Sequence, residues 1–157
     1  MIFEIEGDPI SQRRPRVFMR GNKAITWNPQ EKEKKDMKFL LMSLLNEYAG
    51  SIENKRYQMA ASNLTYADYY ILDLEFHLSF PKTWKEKDIS MYKCGLKVCD
   101  DNKDIDNLEK FICDVCNEVL LKDDRYIIQL NSKKVYSSKP KTVIKIMAKK
   151  NVELHDK

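Results

Sequence analysis

The chain is 157 residues long, 43% hydrophobic and 33% charged, a balance that excludes a disordered or membrane-embedded protein and points to one domain that folds without staples. No run approaches the roughly 20 apolar residues of a membrane span, and the opening Met1-Ile2-Phe3-Glu4 has neither the basic nor the apolar region of a signal peptide, so an untargeted cytoplasmic protein with reduced cysteines is expected. Net charge is only +4, but Arg13, Arg14, Arg16 and Arg20 cluster near the N-terminus, and Asn131–Lys150 holds seven lysines and no carboxylate. Such stretches hold a polyanion's backbone or are simply solvated faces.

Ile2–Glu6 alternates and stops at Gly7-Asp8-Pro9, which predicts a short strand and a turn. Ser11–Arg16 reads as an extended basic arm, because the residue before Pro15 is driven away from helix. Val17–Met19 and Ala24–Trp27 flank Arg20-Gly21-Asn22-Lys23, the pattern of a β-hairpin. Asn28-Pro29-Gln30-Glu31 starts a helix, with Asn28 as cap and Glu31 three residues on. Met37, Leu40, Leu41, Leu44, Leu45 and Tyr48 form its apolar face, and Gly50 its stop. Residues 51–68 are polar and poorly periodic, the mark of an insertion or variable segment.

Tyr70–Phe80 alternates cleanly and predicts a strand, with Asp73, Glu75 and His77 on its polar face. That face either meets water or supplies a metal ligand. Lys82–Lys97 is a charged connector with a short helical turn. Asp106-Asn107-Leu108-Glu109 opens a second helix, Asp106 capping and Glu109 returning the bond, that runs to about Glu118. Tyr126–Val135 and Lys141–Lys149 predict two strands joined by Tyr136–Pro140 as an antiparallel ending. In the last strand Lys141, Lys145 and Lys149 form a continuous basic face. The tail from Asn151 to Lys157 is expected to fray. The fold class is therefore α+β: a single two-layer domain, residues 1–150, whose mixed β-sheet packs with two main helices in the order β-hairpin-α-β-α-β-β.

The chemistry lies in Asp104-Ile105-Asp106-Asn107-Leu108-Glu109-Lys110 and the later Asp123-Asp124. Carboxylates two apart suit Mg²⁺, a hard ion that keeps several waters and takes phosphate into its shell. With Asp106 at the helix cap, Asp104 sits just before it and both carboxylates can share one space. Lys110 lies one turn up on the face of Asp106, and Asp114 continues that face. The helix N-terminus adds partial positive charge where a phosphate would approach. Asp124 joins them only if the chain folds back. A calcium loop through Asp100, Asn102, Asp104 and Asp106 fails, with Ile105 and Phe111 where Gly and Glu are required. Cys94, Cys99, Cys113 and Cys116 have a spacing arguable for zinc, but Cys113 and Cys116 fall inside the helix as small core residues, so no zinc is expected. No glycine-rich phosphate loop or Ser-His-Asp set is present, and no organic cofactor is expected.

These residues carry a resemblance. The chain resembles the RusA-type Holliday junction resolvases, whose pattern is Asp-x-Asp-Asn-Leu-x-Lys, an Asp four residues on, and a later Lys-Asp-Asp, matched here by Asp104–Lys110, Asp114 and Lys122-Asp123-Asp124. Arg14-Pro15-Arg16 after Gly7-x-Pro9, and Phe80-Pro81 with Trp84, also fit. The resemblance implies a RusA-like fold and a homodimeric endonuclease that uses Mg²⁺, with Mn²⁺ a substitute, to nick opposed strands of four-way DNA junctions. It implies metal-binding catalytic roles for Asp104, Asp106 and Asp124, with Asp123 as a further ligand and Lys110 as the essential amine. In-line attack of a metal-activated water on a backbone phosphate follows, with Arg13, Arg14, Arg16, Lys141, Lys145 and Lys149 holding the DNA. A related nuclease for flaps or other branched DNA, and a junction-binding protein that does not cleave, stay open beside it. Two departures stand out. Asn102-Lys103 replaces the usual Lys-Pro, which should loosen the approach to Asp104, and Asn117-Glu118 replaces the Asn-Gly of many members.

Overall fold

β1 (Ile2–Glu6) buries Phe3 and Ile5 and exposes the residues between them. It pairs antiparallel with the last strand, β6 (Lys141–Lys149), and the Met1 amine donates to the Ile146 carbonyl at 2.7 Å. Between these strands come β2 (Arg16–Arg20), β3 (Lys23–Trp27), α1 (Glu31–Gly50), β4 (Tyr69–Ser79), α2 (Glu86–Lys93), α3 (Ile105–Cys116), a 3-10 turn (Asp124–Tyr126) and β5 (Ile127–Ser137). The computed structural model describes residues 1–50, Leu64 and residues 67–150. The expected insertion at 51–68 falls almost wholly outside the described residues, as does the tail from Asn151.

The fold is α+β, with a four-stranded mixed sheet in the order β1-β6-β4-β5 and a separate two-stranded sheet of β2 and β3. On β4, Tyr70, Leu72, Leu74, Phe76 and Leu78 point into the core, as the alternation requires. Against that face α3 lays Leu108, Phe111, Ile112 and Val115, the i, i+3, i+4, i+7 spacing of one helical stripe, all within 1% of full burial. Leu41 is the fully buried contact of α1, with Met37, Leu44 and Leu45 packed beside it. Leu40 does not belong to that face, being 40% exposed. Tyr48 instead sets its ring edge against Phe3 and donates to the Ile2 carbonyl.

The expected antiparallel ending is corrected. β5 and β6 do not pair: β4 lies between them, parallel to β5 and antiparallel to β6, and the short link 138–140 passes over its end. Charge favours this order. Glu75 of β4 sits between Lys133 of β5 at 3.3 Å and Lys145 of β6 at 2.7 Å. A β5–β6 hairpin would set two lysine-rich strands side by side, and like charges across a ladder are destabilising.

α2 docks through aromatic rings: Phe80, Trp84, Tyr92 and Tyr136 lie within 5.0–6.1 Å of one another. The Tyr136 hydroxyl then donates to Asp100, fixing the segment that leads into α3. No helix among the described residues is long and apolar enough to cross a membrane.

Candidate active site

α3 begins earlier in the acidic stretch than expected. Asp104, not Asp106, is the N-cap residue, and its carboxylate makes no cap hydrogen bond, so it stays exposed. Asp106 sits in the first turn, where negative charge is favoured by the helix dipole. Glu109 does not return a capping bond; it accepts from the Ser132 hydroxyl of β5 and ties α3 to the sheet edge. The helix ends at Cys116 rather than near Glu118.

Nor is the approach to Asp104 loose. Lys134 of β5 donates to the carbonyls of Asp101 at 2.7 Å and Lys103 at 3.0 Å, and the Lys103 ammonium reaches the Pro9 carbonyl at 2.8 Å. Lysine side chains replace the stiffness that a proline would have supplied.

Asp106 and Lys110 pair at 2.9 Å across one helical turn. The Lys110 ammonium, first of all by this hydrogen bond, holds the Asp106 carboxyl below its ordinary range, so it is ionised throughout neutral and mildly acidic conditions. Asp114 does not pair with Lys110. It takes the Lys34 ammonium of α1 at 2.5 Å and the Gln12 amide at 3.2 Å, joining α1, α3 and the N-terminal arm. Asp123 has a defined local task, since it N-caps the 3-10 turn by accepting from the Arg125 N–H at 3.0 Å. That cap sets the turn on which Asp124 is carried.

Across from α3, this turn closes an open pocket of about 460 Å³ lined by Asp106, Glu109, Lys110, Cys113, Asp114, Asp124, Arg125, Ile127 and Leu130. Asp106, Lys110 and Asp124 therefore share one pocket, whereas Asp104 and Asp123 are not among its lining residues. Among the described residues no three His, Cys, Asp or Glu side chains are grouped closely enough to hold an ion by themselves. Glu109, Cys113 and Arg125 are pocket residues that the sequence reading does not assign. Only the helical spacing of Glu109 and Cys113 with Asp106 and Lys110 could have flagged two of them. Burial pushes the Cys113 thiol up to about 11, and the carboxylates that line the pocket, Asp106, Glu109, Asp114 and Asp124, offer hard oxygen donors. Cys116 is fully buried in the core.

The basic groups divide. Arg13, Arg14 and Arg16 are exposed and follow Gln12, whose N–H bonds the Asn107 carbonyl of α3 at 2.8 Å and whose side-chain amide donates to Asp114 of the pocket lining. Lys141, Lys145 and Lys149 are on the sheet face opposite α3, where Lys141 pairs with Glu4 at 2.7 Å and Lys145 with Glu75. Their stripe is thus partly neutralised. Glu75 also meets His77 at 3.3 Å, so the polar face of β4 is an ion-pair cluster.

No curated protein matches the chain. Residues 6–147 match the family model described as Endodeoxyribonuclease RusA, a span that contains α3, the pocket and the main sheet except most of β1 and the end of β6. The chain belongs to the RusA family of endodeoxyribonucleases, hydrolases that act on branched DNA and resolve Holliday junctions.

Proposed function

We propose that residues 1–150 form one nuclease domain that cuts four-way junctions with Mg²⁺ at the pocket between α3 and the Asp124 turn. The observation that carries this is a single pocket lined by Asp106, Lys110 and Asp124. Asp106 and Asp124 would hold the ion, with Asp104 and Asp123 at its margin as further ligands. Two or three carboxylates, water and substrate phosphate are the shell Mg²⁺ favours. When bound, the ion supplies Lewis-acid charge stabilisation at the scissile phosphate and lowers the pKa of a water.

The protein's own groups do the rest. Asp106 keeps the Lys110 ammonium at the pocket, where it can stabilise charge building on a phosphate oxygen. Arg125, with the N-terminus of α3, adds positive potential on the approach side. Arg13, Arg14 and Arg16 hold the DNA arm nearest the pocket, and Lys141, Lys145 and Lys149 meet an outlying arm. A two-fold homodimer would present two such pockets to the two symmetric strands.

The test is a synthetic four-way junction, a flap and a duplex of matched length, each with Mg²⁺, Mn²⁺ or EDTA. Junction cutting that needs the metal, about 10²–10³-fold slower in Lys110→Ala and absent in Asp106→Asn with binding retained, is expected. A junction left intact by wild type with Mg²⁺ would retire the proposal, and cutting at the wild-type rate by Asp106→Asn would remove that residue's role.

A further inference from the structure

The β2–β3 hairpin stands away from the body of the protein. Nine of its ten strand residues are exposed, including Val17 at 64%, Phe18 at 50% and Trp27 at 49%. A two-stranded hairpin in water is marginal by itself, so a fixed root and an occupant of its surface both need explaining. Gln30 supplies the root. Buried to 0% exposure, it accepts from the Arg13 N–H and donates to the Ser11 carbonyl, clamping the chain entering the hairpin to the chain leaving it. Gln12, between those two residues, is bonded to α3 at Asn107 and Asp114. The hairpin is therefore anchored at the rim of the pocket.

Its register decides what its surface offers. Arg16 faces Trp27, Phe18 faces Ile25 and Arg20 faces Lys23, and directly opposed residues share a side of the ladder. One side thus carries two aromatic rings, an isoleucine and three cations. From Pro9 to Gln30 there is no carboxylate at all, and no cation of the hairpin is in an ion pair among the described residues. Uniform positive charge disfavours a second copy of the same arm and favours a polyanion, while exposed rings among cations are the means by which proteins stack unpaired bases and track their phosphates.

We infer that this side of the hairpin is a stacking platform for unpaired nucleotides beside the cleavage pocket: Phe18 and Trp27 take bases, and Arg16, Arg20 and Lys23 take the adjoining phosphates. It rests on the action on branched DNA proposed above, and names unstacked bases at the branch point as the contacted part of that substrate.

The measurement uses the full chain in EDTA, so that no DNA is cut. Emission of wild type and of Trp27→Phe, which keeps only Trp84, is followed on titration with a thymidine oligonucleotide, a blunt duplex and a four-way junction, while anisotropy of labelled DNA reports binding. Expected is quenching of wild type by the oligonucleotide and the junction, loss of that quenching in Trp27→Phe, and oligonucleotide binding at least about fivefold weaker in Phe18→Ala with duplex binding within about twofold. Emission unchanged by saturating junction, or quenched equally by duplex, overturns the inference. So does an emission change that follows protein concentration without DNA, which would assign the surface to a second copy. If wild type fails to cut junctions with Mg²⁺ while the oligonucleotide still quenches Trp27, the resolvase proposal falls and the platform stands. If junctions are cut without any quenching, the platform falls and the resolvase stands.

Discussion

Gln30 is where the stability of the fold and the placement of the site meet. In Gln30→Leu the Arg13 N–H and the Ser11 carbonyl both lose their partner, and a buried group left unbonded costs about 1–3 kcal/mol. Both groups are only partly buried, so water recovers some of this and about 2–4 kcal/mol in total is expected. With a urea slope of about 2 kcal/mol/M, the unfolding midpoint should fall by roughly 1–2 M. Gln30→Glu is the sharper probe. It keeps an acceptor for Arg13 but sets a carboxylate against the Ser11 carbonyl, so it should be at least as damaging as leucine despite its polarity. Both variants should also cut junctions more slowly in conditions where they remain folded, since Gln12 would no longer be held on α3. A Gln30→Leu midpoint within about 0.3 M of wild type would refute the clamp.

Three further outcomes follow from separate features. The groups around Glu75, the Lys145 hydrogen bond first, depress its carboxyl to about 2; a depressed carboxyl stabilises the fold above its unfolded value and loses that contribution as pH falls towards the folded one. Because Lys133 and Lys145 are themselves 60% and 42% exposed, screening reduces the contribution to about 1–2 kcal/mol, so urea midpoints between about pH 5 and pH 2.5 should drop less in Glu75→Gln than in wild type; identical slopes would contradict this. Glu118 holds φ at +67°, the left-handed region that glycine occupies without strain. Glu118→Gly should stabilise by roughly 0.5–1 kcal/mol in thermal unfolding, because the exposed contact to Lys38 at 3.5 Å is worth little against that strain; a lower melting temperature would show the ion pair to be the larger effect. Asp123→Ala removes the cap of the 3-10 turn at a cost of about 1 kcal/mol, and by misplacing Asp124 it should slow cutting far more than it weakens junction binding. A rate equal to wild type would mean that the turn needs no cap.

Periodicity made the individual elements legible. The alternation of β4 and the Arg20–Lys23 turn each specify a local shape, and both formed as expected. Asp106 and Lys110 were legible for the same reason, since four residues on a helix fix their separation. Strand order was not. A three-residue link favours pairing of its two strands, whereas in the fold β4 is inserted between them and sets Glu75 between Lys133 and Lys145. The N-cap at Asp104 was missed because Asp104 and Asp106 are chemically identical candidates, and the choice is made by Lys134 and Lys103 pinning the preceding loop. Gln30 had no local signal at all: an amide becomes a clamp only when residues 17 and 19 positions away are folded against it.

The ladder between β1 and β6 joins the domain's first strand to its last. β6 is the neighbour of both β1 and β4 and so brings β1 into the sheet, while β5 is held by β4 alone. During synthesis the acidic residues of α3 and of the Asp124 turn emerge before the strand that completes their support. A chain arrested before Lys141 would leave Phe3 and Ile5 with no strand to pair beside and β4 with one bare flank. Such long-range closure makes folding slow: Phe3 and Ile5 take their places in the core only once the last strand has been made.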